Sequence, residues 1–222
     1  IIHNVYSLHN NLIQVNILLV RDNYVNVKMK IKGTYFLLGV NFLVFLILNV
    51  ILGSTVCGDI PWRMFCIKSD NLFRFAQVNQ LIFSGENLYQ FVTKMFVHIA
   101  ILHFILNMIA LWFYGIRLEK ISSGLFVIVV FLVTGISTSF TNLFLGTIIS
   151  AGASGAIFGI VTTFTILNWN KKNTKLLFFA FIIFIHLPVL LGSSINYLSH
   201  FTGLTVGAIL GIYKQWSIQK SQ

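Results

Sequence analysis

The sequence predicts an all-α, polytopic membrane protein built as a bundle of six transmembrane helices. Hydrophobic residues make up 57% of the chain, only 9% of residues are charged, and the mean hydropathy is +0.87. Globular domains carry about a quarter charged residues, so this composition excludes an ordinary soluble fold. A chain of 222 residues has room for about six spans of roughly 20 residues, and for no large soluble domain besides. We therefore expect one membrane domain.

Six apolar runs supply the predicted spans. Each is long enough, or nearly so, to cross about 30 Å as a helix, which satisfies the backbone polar groups internally. The fifth run is the shortest and contains His186 and Pro188, so we expect its outer end to be irregular. We interpret His186 as a satisfied or snorkelling side chain. The runs are 34–52, 95–116, 125–145, 153–169, 176–191 and 195–213.

The N-terminal segment, residues 1–28, precedes the predicted membrane domain at 29–222. It is rich in asparagine, and its apolar patch at 12–20 is too short to span a bilayer. The residues Met29-Lys30-Ile31-Lys32 directly before the first run are typical of a bacterial start. Our hypothesis is that residues 1–28 come from upstream translation or a fragment boundary, and we assign them no function.

The basic residues predict the orientation of the chain. The net charge is +10, but most lysines and arginines flank apolar runs, where they act as topology determinants, so we predict no nucleic-acid partner. An N-terminus placed inside puts eleven of the fifteen basic residues on the cytoplasmic side. We predict a bacterial plasma membrane protein with both termini cytoplasmic. The four outer residues are Arg63, Lys68, Arg74 and Lys94.

The long first loop, 53–94, is too rich in aromatic residues for a free linker. It predicts short amphipathic helices lying in the membrane interface, and a disordered loop is the alternative. Its two cysteines, Cys57 and Cys66, form either a disulfide or two free thiols, and the pattern does not decide between them. The sequence contains neither Cys-x-x-Cys nor His-Glu-x-x-His, so we predict no metal and no cofactor.

Two apolar runs carry a candidate nucleophile and a candidate base. The fourth run opens with small residues and the hydroxyl of Ser154, and the sixth carries His200 beside a glycine stripe. Both runs enter from the outer side, so parallel helices place the two side chains at similar depth. Phe158, one turn below Ser154, is positioned to stack on the imidazole. The alternative for this serine is ordinary helix packing. The glycines that allow close approach are Gly155 and Gly159 on one run and Gly203, Gly207 and Gly211 on the other.

Polar side chains also lie inside the second run. His103 and Asn107 are four residues apart and share one helix face. A polar side chain left without a hydrogen-bond partner in hydrocarbon costs free energy, so both are expected to have partners. They predict either an oxyanion site or a structural polar clamp between helices. His98 lies nearer the surface and is expected to brace the first loop.

The positions of the carboxylates limit which classes of protease the sequence can encode. All five lie outside the apolar runs, which excludes a buried two-aspartate protease and a Ser-His-Asp triad within the membrane. The remaining arrangement is a serine–histidine dyad whose histidine is oriented by packing and hydrogen bonds. The five are Asp22, Asp59, Asp70, Glu86 and Glu119.

From about residue 29 to residue 214, the chain resembles the rhomboid family of intramembrane serine proteases. One departure is Tyr89-Gln90, which stand where the family often has Trp-Arg, and this puts the stability of the first loop in question. The motifs that carry the resemblance are His103-x-x-x-Asn107, Gly152-Ala153-Ser154-Gly155, His200-x-x-Gly203-x-x-x-Gly207, and Glu119 after the second span.

The resemblance implies a rhomboid-like bundle and an intramembrane serine endopeptidase that cleaves transmembrane segments of other proteins near the outer face. It implies that Ser154 is the nucleophile and His200 the base, and that His103, Asn107 and the Ser154 backbone hold the oxyanion. The implied partners are transmembrane substrates and the lipid bilayer, and the oligomeric state stays open. The implied supporting residues are Gly152, Gly155, Phe158, His98, Gly203 and Gly207.

Two other classes of function remain as alternatives. The first is a catalytically inactive rhomboid-like protein that binds client transmembrane helices. The second is a small transporter or channel, which would be expected to show inverted repeats or a charged pathway, and the sequence shows neither.

Overall fold

The computed structural model describes residues 32–56, 64–146, 148–190 and 195–220, and these residues form a helical bundle. The predicted N-terminal segment 1–28 lies outside the described residues. The first helix, α1 (Gly33–Phe45), continues as a π-helical turn, Leu46–Ile51, and short 3₁₀ turns occupy Lys94–Phe96 and Leu143–Leu145. The helices are α1 (Gly33–Phe45), α2 (Ser69–Phe75), α3 (Asn79–Phe83), α4 (Gln90–Thr93), α5 (Ile101–Ile121), α6 (Gly124–Asn142), α7 (Ser154–Leu167), α8 (Thr174–Leu190) and α9 (Tyr197–Lys220).

The bundle surrounds α7 with longer, outward-facing helices. Three helical segments are long and apolar enough to cross a membrane, Gly33–Ile51, Ile101–Ile121 and Gly124–Leu145, and two shorter apolar helices are Ser154–Leu167 and Thr174–His186. Residues 155–165 of α7 are all buried. Large apolar side chains are exposed on the outer helices, as expected of surfaces in contact with lipid. Examples are Phe36, Phe42, Ile105, Trp112, Phe201 and Ile209.

The second membrane helix begins at Ile101, six residues later than the predicted run at 95–116. Backbone carbonyls shortly before Ile101 accept hydrogen bonds from distant segments of the chain. The carbonyl of Ile99 accepts a hydrogen bond from the backbone N–H of Ile67, at 3.1 Å. The Asn49 side chain donates to the carbonyl of His98, at 2.9 Å. These long-range bonds replace the helical bonds that hydropathy alone predicts.

The other helix ends also differ from the predicted boundaries. The last helix continues to Lys220, beyond the predicted end at 213. The fifth membrane helix continues through Pro188 to Leu190, so its outer end is regular as far as the described residues extend. Residues 191–194 lie outside that range.

Glu119 joins the ends of two helices on the side opposite the candidate site. Its carboxylate accepts hydrogen bonds from the Thr34 backbone N–H, at 2.9 Å, and from the Thr34 hydroxyl, at 2.7 Å. A carboxylate is favourable at a helix N-terminus because the first N–H groups lack intrahelical partners. Glu119 therefore fixes the start of α1 against the end of α5.

Two short antiparallel pairs connect the first loop to the rest of the bundle. Strand β1 (Ser54–Val56) pairs with β2 (Met64–Cys66), and β3 (Gln77–Val78) pairs with β4 (Ile149–Ser150). The second pair joins the first loop to the segment directly before α7. Cys66 is disulfide-bonded, so it is not a free thiol; Cys57 lies outside the described residues.

Gln90 supports this loop at a position where the sequence resemblance led us to expect an arginine. Its buried side-chain N–H donates to the carbonyls of Phe73, at 2.8 Å, and Arg74, at 3.2 Å. Its side-chain oxygen accepts from the backbone N–H of Val78, at 2.9 Å. An amide both donates and accepts, whereas a guanidinium only donates, so Gln90 satisfies groups of both kinds.

Replacing Gln90 with methionine should destabilise the first loop. Gln90→Met keeps the shape of the side chain but leaves the buried Val78 N–H unsatisfied, which costs about 1–3 kcal/mol. Thermal unfolding and limited proteolysis of the purified protein would measure this loss. Gln80→Met is the matched control, because Gln80 is exposed, and equal stability of the two variants would contradict the role assigned to Gln90.

Candidate active site

Ser154 is the first residue of α7 and lies partly exposed at the entry of that helix. The turn before it is held by the backbone N–H of Gly152, which donates to the Lys94 carbonyl at 2.9 Å. Gly152 has a φ of +122°, a conformation that side-chain-bearing residues rarely adopt. The chain therefore presents Ser154 from a fixed turn.

His200 lies within hydrogen-bond distance of this serine. Its Nε2 is 2.9 Å from the Ser154 Oγ. The imidazole stacks on Phe158, with ring centroids 4.3 Å apart and an interplanar angle of 28°. The His200 Nδ1 is buried and has no hydrogen-bond partner in the described part of the chain. Stacking and the serine contact therefore orient the ring, and no carboxylate contacts it in the part of the chain that the structure describes.

Glycines set the distance between the helices that carry the pair. A Cβ on Gly203 would overlap the Gly155 carbonyl oxygen, and one on Gly207 would overlap the Gly159 carbonyl oxygen. The Thr163 hydroxyl donates to the Gly207 carbonyl across the same interface, at 2.8 Å. Helix backbones in membranes approach this closely only where small residues line the contact.

His103 packs against the turn that precedes Ser154. A Cβ on Gly152 would lie 2.7 Å from the His103 Cε1 and 2.8 Å from its Nε2. Glycine at 152 is thus required twice, for its backbone conformation and for the approach of this imidazole. The fully buried His98 packs against His103, and the centroids of the two imidazole rings lie 5.2 Å apart. The His98 carbonyl is held by Asn49, and the bracing role of His98 stays a prediction.

Asn107 lies one turn below His103 and lines the same cavity as Ser154. Its side-chain amide donates to the carbonyl of His103 within its own helix, at 2.7 Å. Its side-chain oxygen is buried without a partner among the described residues. No hydrogen bond within that set joins Asn107 to another helix, so the contacts of a polar clamp between helices are not found.

A single cavity brings the predicted polar groups together. It has a volume of about 390 Å³ and is lined by His103, Asn107, Ser154 and His200. Small-molecule sites in proteins have volumes of about 300–1,000 Å³. The cavity is therefore large enough to admit a peptide bond beside the serine.

Asn142 joins the segments that lead to the two candidate catalytic side chains, and the sequence reasoning missed it. Its side-chain N–H donates to the Ser150 hydroxyl, at 3.0 Å. Its side-chain oxygen accepts from Ser199, at 2.8 Å, and from Asn196, at 2.9 Å. One amide thus connects the strand before α7 with the first turn of α9. A polar residue inside an apolar run, three residues before its end, was the available signal.

His186 lies beside the candidate site, although the sequence analysis interpreted it only as a satisfied or snorkelling side chain. Its Nδ1 is 2.6 Å from the Ile182 carbonyl, which agrees with satisfaction within the helix. Its ring also lies edge-on to His200, with centroids 5.8 Å apart, and stacks on Tyr197 at 5.9 Å. His186 therefore packs beside the His200 imidazole.

Lys94 is a second residue that sequence reasoning did not place at the site. Its side chain is only 2% exposed, and its ammonium donates to the Thr138 hydroxyl at 3.0 Å. Burial lowers the pKa of this amine to about 7, because desolvation disfavours the charged form. Lys94 and Thr138 both line the cavity that contains Ser154.

The arrangement has the parts needed for acyl transfer. A serine hydroxyl within 2.9 Å of an imidazole is the geometry of nucleophile and general base. The backbone N–H at the start of α7 has no intrahelical acceptor and, with His103 and Asn107, lies around the same cavity. Donors grouped beside a nucleophile are suited to hold a developing oxyanion.

Comparison with known proteins gives a consistent family assignment. The rhomboid domain family model matches residues 85–217, more than half of the chain. The chain is 33% identical over 137 residues to RHOMBOID-like protein 6, mitochondrial, of Arabidopsis thaliana, covering 59% of this chain and 45% of that protein. It is 33% identical over 130 residues to RHOMBOID-like protein 2 of the same plant, covering 55% and 41%.

A bacterial relative carries the word protease in its name. The chain is 34% identical over 128 residues to Rhomboid protease GluP of Bacillus subtilis (strain 168), covering 57% of this chain and 22% of that protein. In each of these comparisons the chain spans less than half of the relative's length. Its helices, its motifs and the match over residues 85–217 together establish that the chain is an integral membrane protein of the rhomboid family.

Proposed function

We propose that this protein is an intramembrane serine endopeptidase that cleaves transmembrane segments of other membrane proteins. The observation that carries the proposal is the 2.9 Å contact between the Ser154 Oγ and the His200 Nε2, inside a cavity that His103 and Asn107 also line. Rhomboid family membership and similarity to a rhomboid protease support the same reaction class.

In the proposed reaction, Ser154 and His200 act as nucleophile and base. The His200 Nε2 accepts the hydroxyl proton as the Ser154 Oγ bonds to the scissile carbonyl carbon. The carbon–nitrogen bond then breaks, and His200 returns the proton to the leaving amine. Water attacks the acyl-enzyme in a second round with the same base and releases the new carboxylate. The stacked Phe158 holds the imidazole in place of the carboxylate of a triad.

The oxyanion is proposed to lie between the start of α7 and the outer half of α5. The backbone N–H of Ser154 and the side chains of His103 and Asn107 are the donors. Gly152 allows His103 to approach this position, since any side chain there would meet the ring. A donor of this kind is worth about 10²–10³ in kcat where it has been removed in other enzymes.

The proposed orientation has both termini in the cytoplasm and the site near the outer face. It rests on the asymmetry of lysine and arginine, eleven of fifteen on one side. Ser154 and His200 lie in the first turns of α7 and α9, at the same end of the bundle. The assignment to a bacterial plasma membrane stays a prediction, because the similar proteins include plant proteins, one of them described as mitochondrial.

A catalytically inactive protein that binds client helices is the alternative within the family. It requires no hydroxyl–imidazole contact, so the proximity of Ser154 and His200 favours the enzyme. A serine-reactive fluorophosphonate separates the two functions, because only an activated serine is labelled quickly.

We expect Ser154→Ala and His200→Ala each to abolish cleavage of a model transmembrane substrate and labelling by a fluorophosphonate. The double variant should be no worse than either single one, because the two side chains act as a unit. Turnover by purified, reconstituted protein is the measurement. Ser84→Ala, at an exposed position, is the control. Substantial turnover by Ser154→Ala would refute the serine mechanism.

Asn107→Ala should lower kcat by about 10- to 1000-fold, because the lost donor acts mainly as charge develops on the substrate oxygen. The free energy of unfolding should fall by no more than about 1–2 kcal/mol, the upper range for hydrogen bonds between membrane helices. Kinetics and thermal unfolding on one preparation test both expectations.

Asn49→Ala is the contrasting control for Asn107. The Asn49 side chain donates to the carbonyls of Phe65 and His98 in other segments, so its loss should reduce stability more than turnover per folded molecule. If Asn107→Ala behaves like Asn49→Ala, the oxyanion role of Asn107 is wrong.

The proposed orientation predicts which surface cysteines an impermeant maleimide reaches in intact cells. Phe144→Cys, at an exposed position near the outer end of α6, should be labelled. Asn170→Cys, exposed after the inner end of α7, should be labelled only after lysis. The reverse pattern would place the catalytic end of the bundle in the cytoplasm.

A further inference from the structure

Lys94, whose ammonium has a single polar contact among the described residues, lies buried in the cavity of the proposed protease site. The Lys94 ammonium donates to the Thr138 hydroxyl, at 3.0 Å, and no ion pair to it is found among the described residues. That hydroxyl itself donates to the Gly135 carbonyl, at 2.7 Å. An ammonium has three donors, so this contact leaves most of its hydrogen-bonding capacity unused. Such a group favours an added acceptor.

Lys94 contacts the segment before Ser154 directly and lies near the residue after it through Thr138. Its backbone carbonyl accepts from the Gly152 N–H, at 2.9 Å, just before Ser154. Its ammonium is bonded to Thr138, whose hydroxyl oxygen lies 3.3 Å from the point where a Cβ of Gly155 would stand. Gly155 directly follows Ser154. Because Lys94 and Ser154 line the same cavity, we expect the amine to meet a side chain next to a peptide bond held at Ser154.

The described ionisable side chains that line the cavity can carry only positive charge. Among the described residues that line it, the ionisable side chains are Lys94, His103 and His200, since Cys66 is disulfide-bonded. Each of these can become only positive, and the described lining includes no carboxylate. Burial lowers the pKa of the Lys94 amine to about 7, and a carboxylate placed beside it would favour the charged form again.

We propose that Lys94 makes this site select transmembrane substrates that carry an aspartate or glutamate side chain next to the scissile bond. This inference rests on the proposed function and names the substrate class of the same site. The carboxylate pairs with the ammonium inside the cavity, where the low dielectric strengthens the attraction. A glutamine of the same shape gains only a neutral hydrogen bond, and a lysine is repelled.

The test uses a fluorogenic transmembrane peptide with alanine on both sides of its scissile bond, which mass spectrometry of the products locates. Glutamate, glutamine or lysine replaces the residue before or after that bond. At one of these positions the full-length protein should prefer glutamate to glutamine by about tenfold in kcat/KM, near the low end of coupling measured for close charge pairs. Lysine should be cleaved more slowly than glutamine.

Lys94→Met removes the charge and keeps an unbranched side chain, so the glutamate-to-glutamine ratio should fall to about 1. Lys68→Met, an exposed lysine in the same loop, should keep the wild-type ratio. The ratio is compared between proteins because a glutamate also changes how the peptide sits in the bilayer, whichever variant is present. Lys94→Gln serves as a second neutral variant if the methionine variant fails to fold.

The possible results separate this inference from the function on which it rests. Equal rates for glutamate and glutamine at both positions in the wild type would refute the selectivity without any variant, while cleavage of the alanine peptide leaves the protease intact. A preference that persists in the neutral Lys94 variant would also refute it. If the alanine peptide is not cleaved, or is cleaved by Ser154→Ala, the proposed function and the inference both fail.

Discussion

The close approach of α7 and α9 is the contact on which the rest of the site depends. Gly155 and Gly159 on one helix meet Gly203 and Gly207 on the other, and a Cβ at Gly203 or Gly207 would overlap the backbone opposite. In lipid there is no hydrophobic driving force between helices, so tight backbone packing and hydrogen bonds hold them together. This spacing leaves the Ser154 Oγ and the His200 Nε2 at 2.9 Å.

Buried polar side chains hold together the irregular segments around the site. Asn142 contacts Ser150, Asn196 and Ser199, and thereby joins the segments that enter α7 and α9. Asn49 instead donates to backbone carbonyls, those of His98 and Ile99 before α5. Non-helical backbone at membrane depth is tolerated only where it is buried in protein or lines a cavity, and the Asn49 amide supplies partners for such backbone.

The first loop is held by hydrogen bonds from Tyr89 and Gln90, in place of the tryptophan and arginine that are frequent in the family. The family's frequent Trp-Arg is Tyr89-Gln90 here, and the sequence alone put the stability of the loop in question. Gln90 bonds three backbone groups of the loop, and the Tyr89 hydroxyl donates to the Arg74 carbonyl at 3.0 Å. The support is therefore a neutral hydrogen-bond network, which needs no charge at the membrane surface.

Hydropathy was sufficient to predict the helical membrane fold. The motifs around His103, Ser154 and His200 carried the resemblance to the rhomboid family, to which the chain belongs. Helical periodicity and matched depth also predicted that Ser154 lies beside His200 and that Phe158 stacks on the imidazole, and both contacts are found. The catalytic roles of these residues stay a proposal. The tertiary structure alone decided that α5 starts at Ile101, because the carbonyls before it bond to distant segments.

The tertiary structure also decided what surrounds the dyad. His186 lies beside His200, Asn142 joins two helix entries, and Lys94 is buried in the cavity with one hydroxyl partner. Hydropathy counts a lysine at the end of an apolar run as a topology signal and cannot tell an exposed ammonium from a buried one. The difference depends on which residues far along the chain, such as Thr138, pack against it, so it is fixed only when the helices come together.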